Sequence, residues 1–261
     1  MSSNTPLTDS INNLTTYANS VTGASDTNLS DAVATLASGY GGGGGGNPNE
    51  NLIKWADGTL TTLDLTGAEY ISARFRTISA GSSFTVYAPD ATEIESYAFH
   101  QSTKLVGFDG KKVEKLGNQC FYNTRISLIV LPSLSHSGQT NTFNQASALT
   151  VADFGGITSL GGSFFANCTN LSTLILRKSD EITTLSNINV FTSSPFASGG
   201  TGGTLYVPQS LVSSYQSAKN WSTILGYTNN QIKSIESTHT NPNASIDLTL
   251  YYADGTLIAS S

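Results

Sequence analysis

Apolar residues recur along this chain at a fixed interval. Phe99, Phe121, Phe143 and Phe165 lie 22 residues apart, with Leu105, Leu149 and Leu171 six residues after a Phe and Ile94, Leu116 and Leu160 five before one. Nine and eleven residues after it stand Phe108/Gly110, Ala152/Phe154 and Leu174/Leu176. Apolar positions two apart form the half-buried face of a short strand, because successive side chains point to opposite sides. The second unit, Phe121-Tyr122-Asn123-Thr124-Arg125-Ile126, is one residue short, which brings Ile126, Ile129 and Leu131 into the same columns. A first unit at Phe75 supplies Phe84 and Val86 at the matching offsets. Units of this length carry one strand and a turn each and bury their apolar side only against neighbours, so the pattern predicts a mostly β, irregular solenoid. A stack of about five units at ~4.8 Å per strand makes a slab about 20 to 25 Å long.

The flanks follow other rules. Leu7, Ile11, Leu14, Ala18 and Val21 keep a 4-3-4-3 spacing, and after Gly23 a second run of Leu29, Val33, Leu36 and Tyr40 keeps 4-3-4. Thr5-Pro6, and Asn28 with Asp31, supply helix starts. Residues 1–40 therefore predict two short amphipathic helices, which are marginal alone. Their stripes (Leu7, Ile11, Leu14, Val21, Leu29, Val33 and Leu36) must meet each other in a hairpin or meet a partner. Residues 41–49, rich in glycine and closed by Asn47-Pro48-Asn49, read as a tether with a reach of roughly 17 Å. An aromatic-Ala-Asp-Gly-Thr-Leu motif occurs at residues 55–60 and again at 252–257, and Asp-Gly between apolar flanks signals a hairpin. The first opens an array spanning residues 50–207; the second lies in a carboxy-terminal tail, residues 236–261. Between them, Leu205-Tyr206-Val207-Pro208 reads as a last strand, and Leu211, Tyr215 and Ala218 share one face of a capping helix within residues 208–235.

Two resemblances sharpen this picture. The segment Leu160 to Leu176, with Phe165-Ala-Asn-Cys168 ahead of Leu171, Leu174 and Leu176, resembles the BspA-type leucine-rich repeat of bacterial surface adhesins, in which a Phe-x-x-Cys turn precedes the strand. The closing strand and helix resemble that family's cap, so the likeness runs from residue 60 to residue 235. It implies the fold; such repeats occur in adhesins, secreted proteins and viral proteins alike. The run from Leu7 through Tyr17, Val21, Asp26 and Leu29 to Val33, followed by a glycine tract, resembles the amino-terminal module of tail-associated proteins from phages and prophages of Gram-positive bacteria. There it precedes varied carboxy-terminal domains.

Composition removes several classes of function. Of the 261 residues 38% are hydrophobic but only 11% charged, the net charge is −6, and no basic run exceeds Lys111-Lys112, which argues against nucleic acid as a partner. No Lys or Arg precedes Lys54 and no long apolar run follows, so neither a secretory signal nor membrane insertion is expected. That favours a particle released by lysis over an exported surface protein. Cys120 and Cys168 occupy different columns and are expected as small buried side chains, and no metal or cofactor is expected. His100, His136 and His239 have no partner at a catalytic spacing, with His100 expected in a solvated turn. Asp109 and Asp153 lie in strand columns two repeats apart, roughly 10 Å, and imply no glycosidase cleft. The Gly199-Gly200-Thr201-Gly202-Gly203 run lacks the lysine of a phosphate loop and reads as a turn.

Binding, on this reading, belongs to the outward alternates of the strands. These are Ser83, Thr85 and Tyr87; Gly107, Asp109 and Lys111; Leu128 and Val130; Val151 and Asp153; Thr173, Ile175 and Arg177. Tyr87, Asp109, Lys111, Asp153 and Arg177 are the candidate contacts for a bacterial surface glycan or protein. The alternative is a plain solvated face, with Leu128 and Val130 covered by a neighbouring chain. The sequence therefore predicts a non-enzymatic virion protein, associated with a phage tail or baseplate. Residues 1–40 would join it to other virion proteins, and several copies on one particle, as a homo-oligomer, would supply avidity. An architectural decoration or spacer, and a BspA-like adhesin at the bacterial surface, are the other readings.

Overall fold

The apolar pairs of each unit become the inward sides of parallel strands. The computed structural model describes residues 62–78 and 80–235. The two helices and anchoring positions of residues 1–40, the tether, and the hairpins at 55–60 and 252–257 lie outside the described residues. The chain divides into Met1–Leu52 and Ile53–Ser261, and every described residue belongs to the second unit.

In chain order the strands are β1 (Thr62–Asp64), β2 (Tyr70–Ile71), β3 (Phe84–Tyr87), β4 (Glu93–Ile94), β5 (Leu105–Asp109) and β6 (Lys115–Leu116). They continue as β7 (Leu128–Leu131), β8 (Val151–Phe154), β9 (Ser159–Leu160), β10 (Thr173–Leu176), β11 (Thr184–Leu185), β12 (Thr204–Val207) and β13 (Gln231–Ser234). All pairings are parallel. The longer strands form two ladders, β1-β3-β5 and β7-β8-β10-β12-β13, while the two-residue strands form β2-β4-β6 and β9-β11 on another side of the coil. Most coils thus give one strand to each side and turn at the Phe, the coil of β7 giving no short strand. β5 holds one residue too many for its neighbour, so its register with β3 shifts between Phe84 and Thr85.

The turn explains why a Phe recurs. Residues two before and two after it take positive φ: Tyr97 and Gln101, Gln119 and Asn123, Asn141 and Gln145, Ser163 and Asn167. Left-handed backbone is unfavourable for side-chain-bearing residues, Asn tolerating it best. The cost is offset because alternate amides are turned along the stack. Phe99, Phe121, Phe143 and Phe165 donate their N–H to Cys120, Thr142, Phe164 and Val190 carbonyls of the next coil, at 2.8 to 2.9 Å. The amides between close the turn within the coil, as when His100 donates to the Tyr97 carbonyl. A second ladder of main-chain bonds therefore runs parallel to the sheets.

Inside it the rings stack. Phe75, Phe99, Phe121, Phe143, Phe165 and Phe191 follow one another with centroids 5.2 to 6.0 Å apart, all sealed from solvent. The stack has one ring more than the sequence periodicity indicates. Phe191 follows Phe165 by 26 residues rather than 22, because the loop at residues 177–181 lengthens that coil and hides the register. Cys120 and Cys168 are buried free thiols, their pKa values raised by burial, and Cys168 donates to the Phe143 carbonyl. His100, expected in solvent, is 7% exposed instead: it stacks on Tyr122 with centroids 4.8 Å apart, and burial lowers its pKa, with the charge of Arg76 adding to the effect.

The carboxy-terminal end is closed by more than one helix. A 3-10 turn at Gln209–Leu211 leads into α1 (Val212–Ser217), and a break at Ala218 and left-handed Asn220 separates it from α2 (Trp221–Leu225). Leu211 and Ala218 are only half-buried; Tyr215, Trp221 and Ile224 do the covering. Trp221 lies 5.9 Å from the Phe191 ring and donates its Nε1–H to the Thr183 carbonyl, while the Thr183 amide donates to the Tyr215 hydroxyl. β13 then adds a strand that the sequence pattern did not announce, because Gln231 and Lys233 flank only one apolar residue.

Candidate binding surface

Strand register sorts the outward side chains into two columns. In one ladder Thr85 aligns with Gly107 and Tyr87 with Asp109; in the other Leu128, Val151, Thr173 and Thr204 make the first column and Val130, Asp153, Ile175 and Tyr206 the second. Threonine suits such positions because its branched side chain fits the pleat. Leu128, Val130 and Val151 are half-buried and give the middle of the face an apolar character.

The five candidate contacts do not converge. Tyr87 is 42% exposed and stands opposite Asp109 in the register, with exposed Lys111 just beyond β5. These three share one end of the face. Asp153 lies three strand spacings from Tyr87, about 14 Å, and Arg177 one coil further, and they hold each other. Arg177 Nε and Nη2 each donate to an Asp153 carboxylate oxygen at 2.7 Å. Asp153 was read as an exposed alternate, but it is 2% exposed, and Ile175 beside it is 1% exposed. The aspartate is sealed because the paired guanidinium lies over it and neutralises it, which an alternating pattern does not reveal.

Burial raises the Asp153 carboxyl above its ordinary pKa, against the opposing pull of Arg177. Arg177→Ala would strand that carboxylate and is expected to cost about 1–3 kcal/mol of stability at neutral pH, less than for a fully buried pair because Arg177 retains some solvent. A carboxyl with a raised folded-state pKa binds its proton more tightly in the fold than in the unfolded chain. The cost should therefore shrink as pH falls through that raised value. Urea melts at pH 7 and pH 4 check this, and an equal cost at both contradicts it.

Outside this face, pattern reading missed a polar groove along the short strands, with Glu93, Lys115, His136, Ser137 and Gln139 among its walls. One signal was present: Gly138 occupies the column that holds Ile94, Leu116 and Leu160 elsewhere. Among the described residues no group of His, Cys, Asp and Glu side chains is arranged to hold a metal ion, and no helix is long and apolar enough to cross a membrane.

The repeat-family profile agrees with the coil geometry. No curated protein sequence matches the chain. The crystal structure of the pneumococcal vaccine antigen PcpA is similar over 59% of this chain at 21% identity and a TM-score of 0.47, and the match spans 42% of that longer chain. The profile of the BspA type leucine rich repeat region matches six copies across residues 75–197. Those bounds enclose the phenylalanine stack from Phe75 to Phe191, so the repeat profile and the ring stack mark the same coils.

Proposed function

We propose that the chain is a non-enzymatic attachment protein of a phage particle, whose repeat slab is presented to the bacterial surface by an amino-terminal anchoring module and a glycine tether. The observation that carries the attachment reading is the pair of parallel ladders: they set an apolar patch of β7 and β8 beside exposed Tyr87, half-buried Asp109 and exposed Lys111 on neighbouring coils. A broad face of this kind suits a repeating or extended ligand. The non-enzymatic reading rests on the state of the histidines. His100 is sealed in its turn, and exposed His136 has its Nδ1 3.2 Å from both the adjacent Ser135 hydroxyl and the Glu114 main-chain carbonyl; neither ring is ion-paired with a carboxylate among the described residues. The virion placement rests on the likeness of residues 7–33 to phage tail modules.

A bacterial surface adhesin is the second reading, favoured by the BspA-type repeat match. Density-gradient purification of particles followed by mass spectrometry separates the two. The chain is expected to co-sediment with particles in stoichiometric amount. Recovery in the cell-surface fraction alone would hand the function to the adhesin.

A further inference from the structure

The outward side of the five-stranded ladder is more closed than a bare sheet face. Leu128, Val130, Val151, Asp153, Thr173 and Ile175 all point away from the interior of β7, β8 and β10, yet none of them is exposed. On β1, β3 and β13 the outward Thr62, Tyr87, Gln231 and Lys233 stand in solvent. Arg177 lies over Asp153. Ile175 is sealed as well, although its register neighbours Asp153 and Tyr206 are polar and Tyr206 is itself only half-buried. Leu128, Val130, Val151 and Ile175 thus form an apolar patch across three adjacent strands, a surface that gains from being covered.

The chain carries a cover of matching chemistry. The described residues end at Ile235, just past β13 in this same ladder, and the sequence beyond them alternates: Ile246, Leu248, Leu250 and Tyr252 fall on one side of an extended segment, Asp247 and Thr249 on the other. A two-residue turn at Asp254-Gly255 would set Leu257 opposite Tyr252, on the same side. A hairpin with one apolar side is not stable alone in water. Laying that side on a sheet face about 10 Å away resolves it. Reach is no obstacle, since residues 236–245 extend up to about 33 Å while β8 lies three strand spacings from β13, about 14 Å. We propose that residues 246–259 dock in cis on the outward face of β7, β8 and β10, over Leu128, Val130, Val151 and Ile175. A second copy is the poorer occupant, because a short flexible link holds the chain's own tail at an effective concentration of roughly millimolar, far above that of free chains. Docked there, the tail competes with any ligand for the apolar patch and leaves Tyr87 and Lys111 as the uncovered end of the face; this consequence, unlike the docking, rests on the attachment reading.

Methyl-resolved NMR of the full chain tests the docking. Nuclear Overhauser contacts are expected from Leu248 and Leu250 to Val130 and Ile175. In a mixture of chains labelled only at isoleucine with chains labelled only at leucine, the contact between Leu248 and Ile175 should vanish, since the two labels no longer share a chain. Leu248→Asp with Leu250→Asp should uncover the patch, so that a soluble paramagnetic probe broadens the Ile175 methyl several-fold more than in the parent chain, while the Phe99 and Phe121 amides stay protected from exchange. No contact between tail and patch, a contact that persists in the mixed sample, or an Ile175 methyl equally shielded in the variant would each overturn the proposal. The variant should also attach to cells more strongly, because a face shared with a tethered competitor is only fractionally available. Tail contacts with unchanged attachment would leave the docking standing and remove the apolar patch from the attachment reading. Attachment by a chain whose tail touches nothing would do the reverse.

Discussion

Phe143→Ala is expected to destabilise the array by about 3–5 kcal/mol, the range for a fully buried phenylalanine whose neighbours relax only in part. Phe143 and Phe165 are the most heavily used rings of the stack. Phe143 meets Phe121 and Phe165 face to face at 5.2 and 5.6 Å, and touches Phe154 and Phe164 as well. Collapse into the hole is restrained on both sides by main-chain bonds, from the Phe121 amide to Thr142 and from the Phe143 amide to Phe164. Because the ring belongs to central coils, its loss should weaken all coils together. Guanidinium denaturation should show a lower midpoint with an unchanged slope. A change below about 1 kcal/mol would mean that the stack is not the core of this fold.

Trp221→Ala is expected to cost a similar amount, about 3–5 kcal/mol, but to distribute it differently. Trp221 covers Phe191, the last ring, and its Nε1–H satisfies the Thr183 carbonyl in the interior. In a solenoid each coil is stabilised chiefly by its neighbours, so an end that loses its cover opens first. Amide exchange should accelerate at β10, β11 and β12 while β3 and β5 stay protected, and the denaturation slope should fall as the transition broadens. Uniform acceleration along the array would show that the cap is no separate cooperative element.

What could be read in advance follows from how strictly each feature depends on spacing. The columns around Phe99, Phe121, Phe143 and Phe165 were legible because each coil must place an apolar side chain at the same height. Phe191 was not, since four residues inserted around the loop at 177–181 shift the count without disturbing the stack. Tyr87, Asp109 and Lys111 were placed on the long-strand face by alternation alone. Asp153 was misjudged because alternation reports direction and not cover, and Arg177 provides the cover. The groove escaped for a third reason: it depends on an exchange of volume between Gly138 and Phe164, two residues far apart in sequence and each unremarkable alone.

The turn side of the coil has one more property. Its ladder of coil-to-coil bonds is made mainly by main-chain amides and carbonyls, so the side chain after each repeat Phe adds to the stack in some coils only, as His100 on Tyr122 and Asn144 to Asn167. Arg76, His100, Tyr122, Asn144, Ala166 and Thr192 occupy that one position in successive coils, a list with no shared size, charge or polarity. A scaffold of this kind can exchange its recognition chemistry coil by coil while its architecture is inherited unchanged. Under the proposed attachment role, that side is where new specificities can be written at least structural risk.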